Sequence, residues 1–218
     1  HPRVRRQRQM CIRDRYKIKT VENKHTHLVP EELEQLERLS LTDKHMKLQK
    51  SLDAFLFCCY AGMRYSDFTN LSKKNIVDIN QETWLIYKSV KTGTEVRLPL
   101  YLLFAGKGIV ILNKYRNNLE DFFRLRDNSN INKDLIIIAK LAGLSKKISF
   151  HTARHTNATL LIYNGVNITT VQKLLGHKSV KTTQVYTNIM DMTIVHDLEK
   201  IKQAALGIKK KTDNSFNK

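Results

Sequence analysis

The chain has 218 residues, 41% of them hydrophobic, enough for one domain with a sizeable core, which argues against general disorder. Lys and Arg number 38 against 20 acids, and the resulting +18 favours a polyanionic partner, nucleic acid first, with a merely basic soluble protein as the plainer alternative. Three cysteines without metal-like spacing, including the adjacent Cys58 and Cys59 in an apolar run, read as buried thiols of a reducing cytoplasm; no stretch reads as a membrane span or a secretory signal.

Residues 1–15 carry six arginines without helical periodicity, and Met10 to Arg15, M-C-I-R-D-R, reads like a translated sequencing-library adapter. The segment is expected to be non-native, with a genuine basic arm along phosphates as the alternative. Setting it aside removes those six arginines and one aspartate and leaves +13 of the +18, so the charge argument survives. Residues 16–29 are polar and read as a linker.

Pro30 with Glu31 and Glu32 marks a helix start, because Pro suits the first helical position and acids suit the positive end of the helix dipole. The apolar stripe that follows predicts a helix to about Leu41. A second helix is expected over 44–60, with Leu48, Leu52, Phe55, Leu56 and Cys59 on one buried face and Gly62 ending it. Ser66 is expected to cap a short helix over 67–71. Three short β-rich runs, 76–79, 83–88 and 95–100, predict a three-stranded antiparallel sheet, with Lys91, Thr92 and Gly93 in the turn between the last two and Pro99 ending an edge strand. Helices are expected over 109–124 and 135–141, the second closed by Gly143, and over 152–164, closed by Gly165. Asn167 should cap a helix carrying Val171, Leu174 and Leu175 that Gly176 closes, and Ser179 a shorter one holding Tyr186. Residues 190–206 predict a last amphipathic helix and 207–218 a frayed basic tail. The expected fold class is α+β, mainly α-helical, with a small three-stranded antiparallel sheet. The catalytic unit is expected over 30–206.

The chemistry gathers in 150–186. His151 and Arg154 fall near a helix start, where free backbone N–H groups and the dipole favour an anion, and Arg154 adds a planar fork suited to two phosphate oxygens. Taken alone, Arg154 could equally be a salt-bridged surface arginine. His151 and His155 are four apart, as in a zinc pair, but Thr152 stands where the metalloprotease pattern needs Glu and no carboxylate or Cys completes a site, so no metal is expected. His155 reads as a packing or hydrogen-bonding residue. His177 follows the helix-ending Gly176 and should project from a turn. Tyr186 is one of eight tyrosines, expected half-exposed on a short helix, and by itself is no more than a packing residue.

Taken together, R…K…H-x-x-R…G-H…Y resembles the catalytic domain of the tyrosine recombinases, the family of phage integrases, Xer-type resolvases and integrases of conjugative transposons. The resemblance covers about residues 30–206. It rests on A-G-M-R-Y-S-D around Arg64, V-K-T-G around Lys91, F-H-T-A-R-H-T around Arg154 and L-L-G-H-K-S-V-K-T-T-Q-V-Y ending at Tyr186, with nine residues from His177 to Tyr186. The strings look most like those of conjugative-transposon integrases.

The resemblance implies a site-specific recombinase that cleaves and rejoins double-stranded DNA through a 3′-phosphotyrosine. It implies Tyr186 as nucleophile, His151 as general base or proton relay, and Arg64 and Arg154 as clamps on the non-bridging oxygens. Lys91 is then the general acid for the departing 5′-hydroxyl, His177 a hydrogen-bond donor to the phosphate, and Asp67 a residue that orients the site. It implies no cofactor, metal, ATP or small-molecule substrate, a cytoplasmic enzyme acting as a homo-oligomer (a tetramer in the synapse) and a helix over 190–206 exchanged between subunits. The family's core-binding and arm-binding domains find no room in residues 1–29. The competing readings are a basic helix-turn-helix regulator built on residues 165–186, which leaves Arg64, Lys91 and His151 unexplained, and a type IB topoisomerase, which uses similar chemistry without site choice.

Overall fold

The computed structural model describes residues 26–187. Its centre is helix α2, Gln49–Ala61, in which every residue from Ser51 to Ala61 is buried. The sequence predicts a single buried stripe here. The helix is instead apolar almost all round, with Phe57, Cys58 and Ala61 completing its circumference, and such a helix needs neighbours on every side. It has them in α1 (Pro30–Glu37), α4 (Lys107–Lys114), α5 (Leu119–Phe123), α6 (Asn128–Leu141) and, most extensively, α7 (Phe150–Tyr163).

Several element boundaries move. The helix from Pro30 stops at Glu37. The run expected to be helical from 44 opens as a 3-10 helix, Asp43–Leu48, before α2 begins. The short helix α3 is Tyr65–Thr69, with Arg64 rather than Ser66 at its N-cap position. The helix expected over 109–124 is two, α4 and α5, because the chain turns at Tyr115 and the Asn118 side chain caps a fresh start by accepting from the Asp121 N–H. Helix α6 begins seven residues earlier than expected, where Asp127 accepts from the Asn130 N–H; this polar first turn showed no apolar period.

The sheet is the expected antiparallel meander, β1 (Ile76–Ile79), β2 (Glu82–Lys88) and β3 (Glu95–Pro99), in the order β1-β2-β3. Leu85 pairs with Leu98 and Tyr87 with Val96, so one face is buried while Glu82, Lys88, Glu95 and Arg97 face water. Helix α8, Ile168–Leu175, packs on α7 and on the edge strand β3, and a last short helix α9, Lys181–Gln184, follows it. The expected helix over 190–206, the tail and the N-terminal segments lie outside the described residues. No helix among the described residues is long and apolar enough to cross a membrane.

A cluster of rings locks the elements that will carry charge. Phe68 of α3 meets Phe122 edge-on at 5.4 Å and Phe123 at 5.5 Å, and Phe150, at the start of α7, meets Tyr65 edge-on at 5.5 Å. Ring pairs of this geometry add about 0.5–1.5 kcal/mol beyond their buried area. They hold the start of α3, and with it Arg64, against the start of α7, and with it His151.

Candidate active site

Arg154 is the side chain around which the site closes. It lies in the second turn of α7, because the helix starts at Phe150, so the expected place at the helix mouth goes to His151 alone. Only 1% of Arg154 is exposed. Its Nη1 donates to the Gly62 carbonyl at 2.7 Å and its Nη2 to the Leu175 carbonyl at 2.6 Å. These carbonyls end α2 and α8, the negative poles of two helix dipoles, which is where a buried cation is best tolerated. Burial, reinforced by the charge of Arg64, lowers the guanidinium pKa to about 10, so it stays charged at neutral pH. The two bonds use one N–H on each terminal nitrogen; a guanidinium has five, so three remain for a ligand.

Two glycines make this arrangement possible. Gly62 and Gly176 end α2 and α8 with φ of +67° and +64°. A Cβ at Gly62 would stand 2.6 Å from Asn157 Oδ1, and one at Gly176 2.6 Å from Val96 Cγ2. The left-handed turns and the close approaches both require the absence of a side chain.

Arg64 stands immediately before α3. Its Nη1 lies 3.5 Å from Asp67 Oδ2 and 3.4 Å from Ser89 Oγ. Asp67, 2% exposed, also accepts from the Val90 N–H at 2.8 Å and from the Ser89 hydroxyl at 3.3 Å. One carboxylate thus ties Arg64 to the start of the β2–β3 turn. The far side of the turn is held by Thr92, whose hydroxyl donates to the Gly176 carbonyl at 3.2 Å. Lys91 sits between these two anchors and is exposed.

His177 is buried rather than projecting, 7% exposed, because the residues that follow Gly176 fold back over it. Its Nδ1 lies 2.9 Å from the hydroxyl of Thr183, itself fully buried. Burial first, then the positive charges of Arg154, Arg64, His151 and Lys91, push its pKa down to about 3, so this imidazole is neutral at physiological pH. Those sources also locate the cluster: Arg154, Arg64, His151 and Lys91 all act on one ring.

Tyr186 lies just beyond α9, not within a helix, and is 5% exposed rather than half-exposed. Its ring runs parallel to His177, 5° between planes and 6.5 Å between centroids. Its hydroxyl lies 3.1 Å from Nδ1 of His155. Burial raises the phenol pKa, and the charges of Arg154 and Arg64 draw it back down. His151 is exposed and its ring stands edge-on to His155 at 4.4 Å. It shares with Arg64, Tyr65, Ser66 and Asn128 the lining of an open groove on the surface.

The structure therefore brings Arg64, Asp67, Lys91, His151, Arg154, His177 and Tyr186 to one place from five elements and turns. Sequence reasoning missed Ser89, Thr92 and Thr183, single hydroxyls without a local signal, and the contact of His155 with Tyr186. Only the four-residue spacing of His151 and His155 hinted that they share a helix face. Among the described residues no group of three or more His, Cys, Asp or Glu side chains is arranged to hold a metal ion.

Residues 27–192 match the phage integrase family. The chain belongs to that family. A tyrosine recombinase of Pseudothermotoga lettingae is 30% identical over 81% of this chain and 60% of its own length. The tyrosine recombinase XerD of Bifidobacterium longum is 50% identical over 71% of this chain and 54% of its own. This integrase-family chain thus spans little more than half the length of these relatives. The crystal structure of a XerA recombinase superposes with a TM-score of 0.63 at 26% identity, over 80% of this chain and 64% of that one. The mainly helical fold with its three-stranded sheet is that of a tyrosine recombinase catalytic domain.

Proposed function

We propose that this chain is the catalytic part of a site-specific recombinase that cleaves and rejoins double-stranded DNA. The phenol of Tyr186 attacks a backbone phosphorus, its oxygen becomes bonded to the 3′-phosphate, and the 5′-oxygen leaves. Arg64 and Arg154 take the non-bridging oxygens and stabilise the charge that builds up in the transition state. Lys91, on its anchored turn, protonates the departing 5′-oxygen. His177, neutral and held at Nδ1 by Thr183, has its Nε2 for a phosphate oxygen. His151 serves proton transfer, and Asp67 holds Arg64 and the Lys91 turn in register. The covalent link conserves the phosphodiester's energy, so rejoining needs no ATP, and the fixed cations supply the charge stabilisation a metal ion would otherwise give.

The observation that carries this reading is the burial of one phenol among these groups: Tyr186 is 5% exposed, meets His155 at 3.1 Å, lies parallel to the His177 ring, and feels the charge of both Arg154 and Arg64. The regulator reading offers no reason for Arg154, Arg64, His151 and Lys91 to act together on the His177 ring.

The unit extends over 30–206, acts as a tetramer in the synapse with residues 190–206 exchanged between subunits, and serves integration or excision of a mobile element in the cytoplasm. The test is a suicide substrate. Nicked duplexes with a randomised core are incubated with the protein, and adducts that survive denaturing gels are sequenced. Wild type is expected to yield a 3′-phosphotyrosyl adduct mapping to Tyr186. Tyr186→Phe should retain DNA binding and yield none; adducts from the Phe variant would overturn the assignment.

A further inference from the structure

Within the recombinase reading, on which this inference rests, we propose that His155 is the catalytic proton acceptor for Tyr186. Nδ1 of His155 lies 3.1 Å from the phenolic oxygen, and both residues are buried, at 8% and 5% exposure. The resemblance pointed to His151 for this step, but His151 stands one helical turn away, exposed at the groove. Its ring meets that of His155 edge-on at 4.4 Å, so two imidazoles follow one another from the phenol toward solvent.

Chemistry requires such a group. The phenol is protonated at neutral pH, and burial strengthens its hold on the proton. Arg154 and Arg64 favour the phenolate but are cations and accept nothing. Among the described residues the other imidazole beside the ring, His177, has its Nδ1 turned to Thr183. His155 presents a ring nitrogen at hydrogen-bond distance to the atom that must lose its proton.

The step balances. As the Tyr186 Oη–phosphorus bond forms and the phosphorus–O5′ bond breaks, the phenolic proton passes to Nδ1 of His155. The 5′-oxygen takes its own proton from Lys91. Before the step the His155 proton is on Nε2. Afterwards the doubly protonated ring is relieved through exposed His151. Rejoining reverses each transfer, and His155 returns the proton to the tyrosine.

The test uses the full chain and the nicked duplex recovered with wild type. If wild type forms no adduct on any duplex, the recombinase reading itself falls, and His155 is not at issue. Given an adduct, His155→Asn keeps an oxygen facing the phenol but cannot take its proton, and His155→Ala removes both functions. Single-turnover cleavage is expected to fall about a hundredfold or more in both, with DNA affinity and thermal melting near wild type for the Asn variant. A duplex with sulfur at the bridging 5′ position, a leaving group that needs no proton, should rescue Lys91→Ala and leave His155→Asn slow. A fluorinated tyrosine at 186, whose phenol is more acidic, should narrow the defect of His155→Asn, which a purely structural role would not do. Wild-type cleavage by His155→Asn, rescue of it by the sulfur substrate, or faster cleavage on loss of the contact would each overturn the proposal. Should His155→Ala fail to fold, the Asn variant decides.

Discussion

On the proposed mechanism, Arg154 serves both the fold and the chemistry. Its two bonds join the ends of α2 and α8, so its loss strands two buried carbonyls, each at about 1–3 kcal/mol. Arg154→Ala is therefore expected to lower thermal stability as well as abolish cleavage. Arg154→Lys, which keeps the charge but has no fork to bridge both carbonyls, should melt between the two and remain catalytically poor; a full recovery of cleavage by Lys would show that charge alone suffices. His177 offers a different readout. Its folded pKa of about 3 lies below the ordinary histidine value of 6.5, so the unfolded chain binds a proton in the interval between them and the folded chain does not. Stability from this residue is fully present above pH 6.5 and is lost as pH falls toward 3. Melting temperature followed over that range should drop less steeply in His177→Gln than in wild type, and parallel curves would contradict the assigned cause.

At the level of elements, the site is made by ends rather than by faces. The starts of α3 and α7 bring Arg64 and His151, the ends of α2 and α8 bring the carbonyls that receive Arg154, and the β2–β3 turn brings Lys91. Its two anchors, Asp67 on Val90 and Gly176 on Thr92, flank Lys91 on either side, so the turn is held from the α3 side and from the α8 side at once. The end of α8 is where most of these meet. Gly176→Ala should be costly, because a left-handed conformation adds about 1–2 kcal/mol for a residue with a Cβ and that carbon would overlap Val96 at 2.6 Å. A fall in melting temperature with a larger fall in cleavage is expected, since the Thr92 anchor and the Leu175 carbonyl both shift; a variant that melts normally would mean that β3 yields easily.

For the whole molecule, on the recombinase reading, the net charge of +18, or +13 without residues 1–15, sets the terms of DNA binding. Phosphate contacts by Lys and Arg release counterions, so affinity should fall steeply and log-linearly with salt, whatever the sequence. Cleavage at fixed salt is expected to be unchanged by a strong chelator, because the cations acting on the phosphate belong to the protein; loss of the adduct in chelator, restored by magnesium, would count against that account. What the order of residues determined by itself is the family resemblance and the helix punctuation. The motif strings around Arg64, Lys91, Arg154 and Tyr186 were readable because each is local, and Gly62, Asn167 and Gly176 announced their helix ends because backbone conformation is a local property. The antiparallel sheet was legible for the same reason, through short β-rich runs and the turns between them. The tertiary structure alone decided what is buried. Half-exposed Tyr186, projecting His177 and a one-faced α2 were reasonable from local pattern and wrong, since burial depends on neighbours distant along the chain. So too the partners of Arg154 lie 92 and 21 residues away, and the hydroxyl that meets His155 lies 31 residues on. Contacts across such distances carry no periodicity, and only the packed chain brings them together.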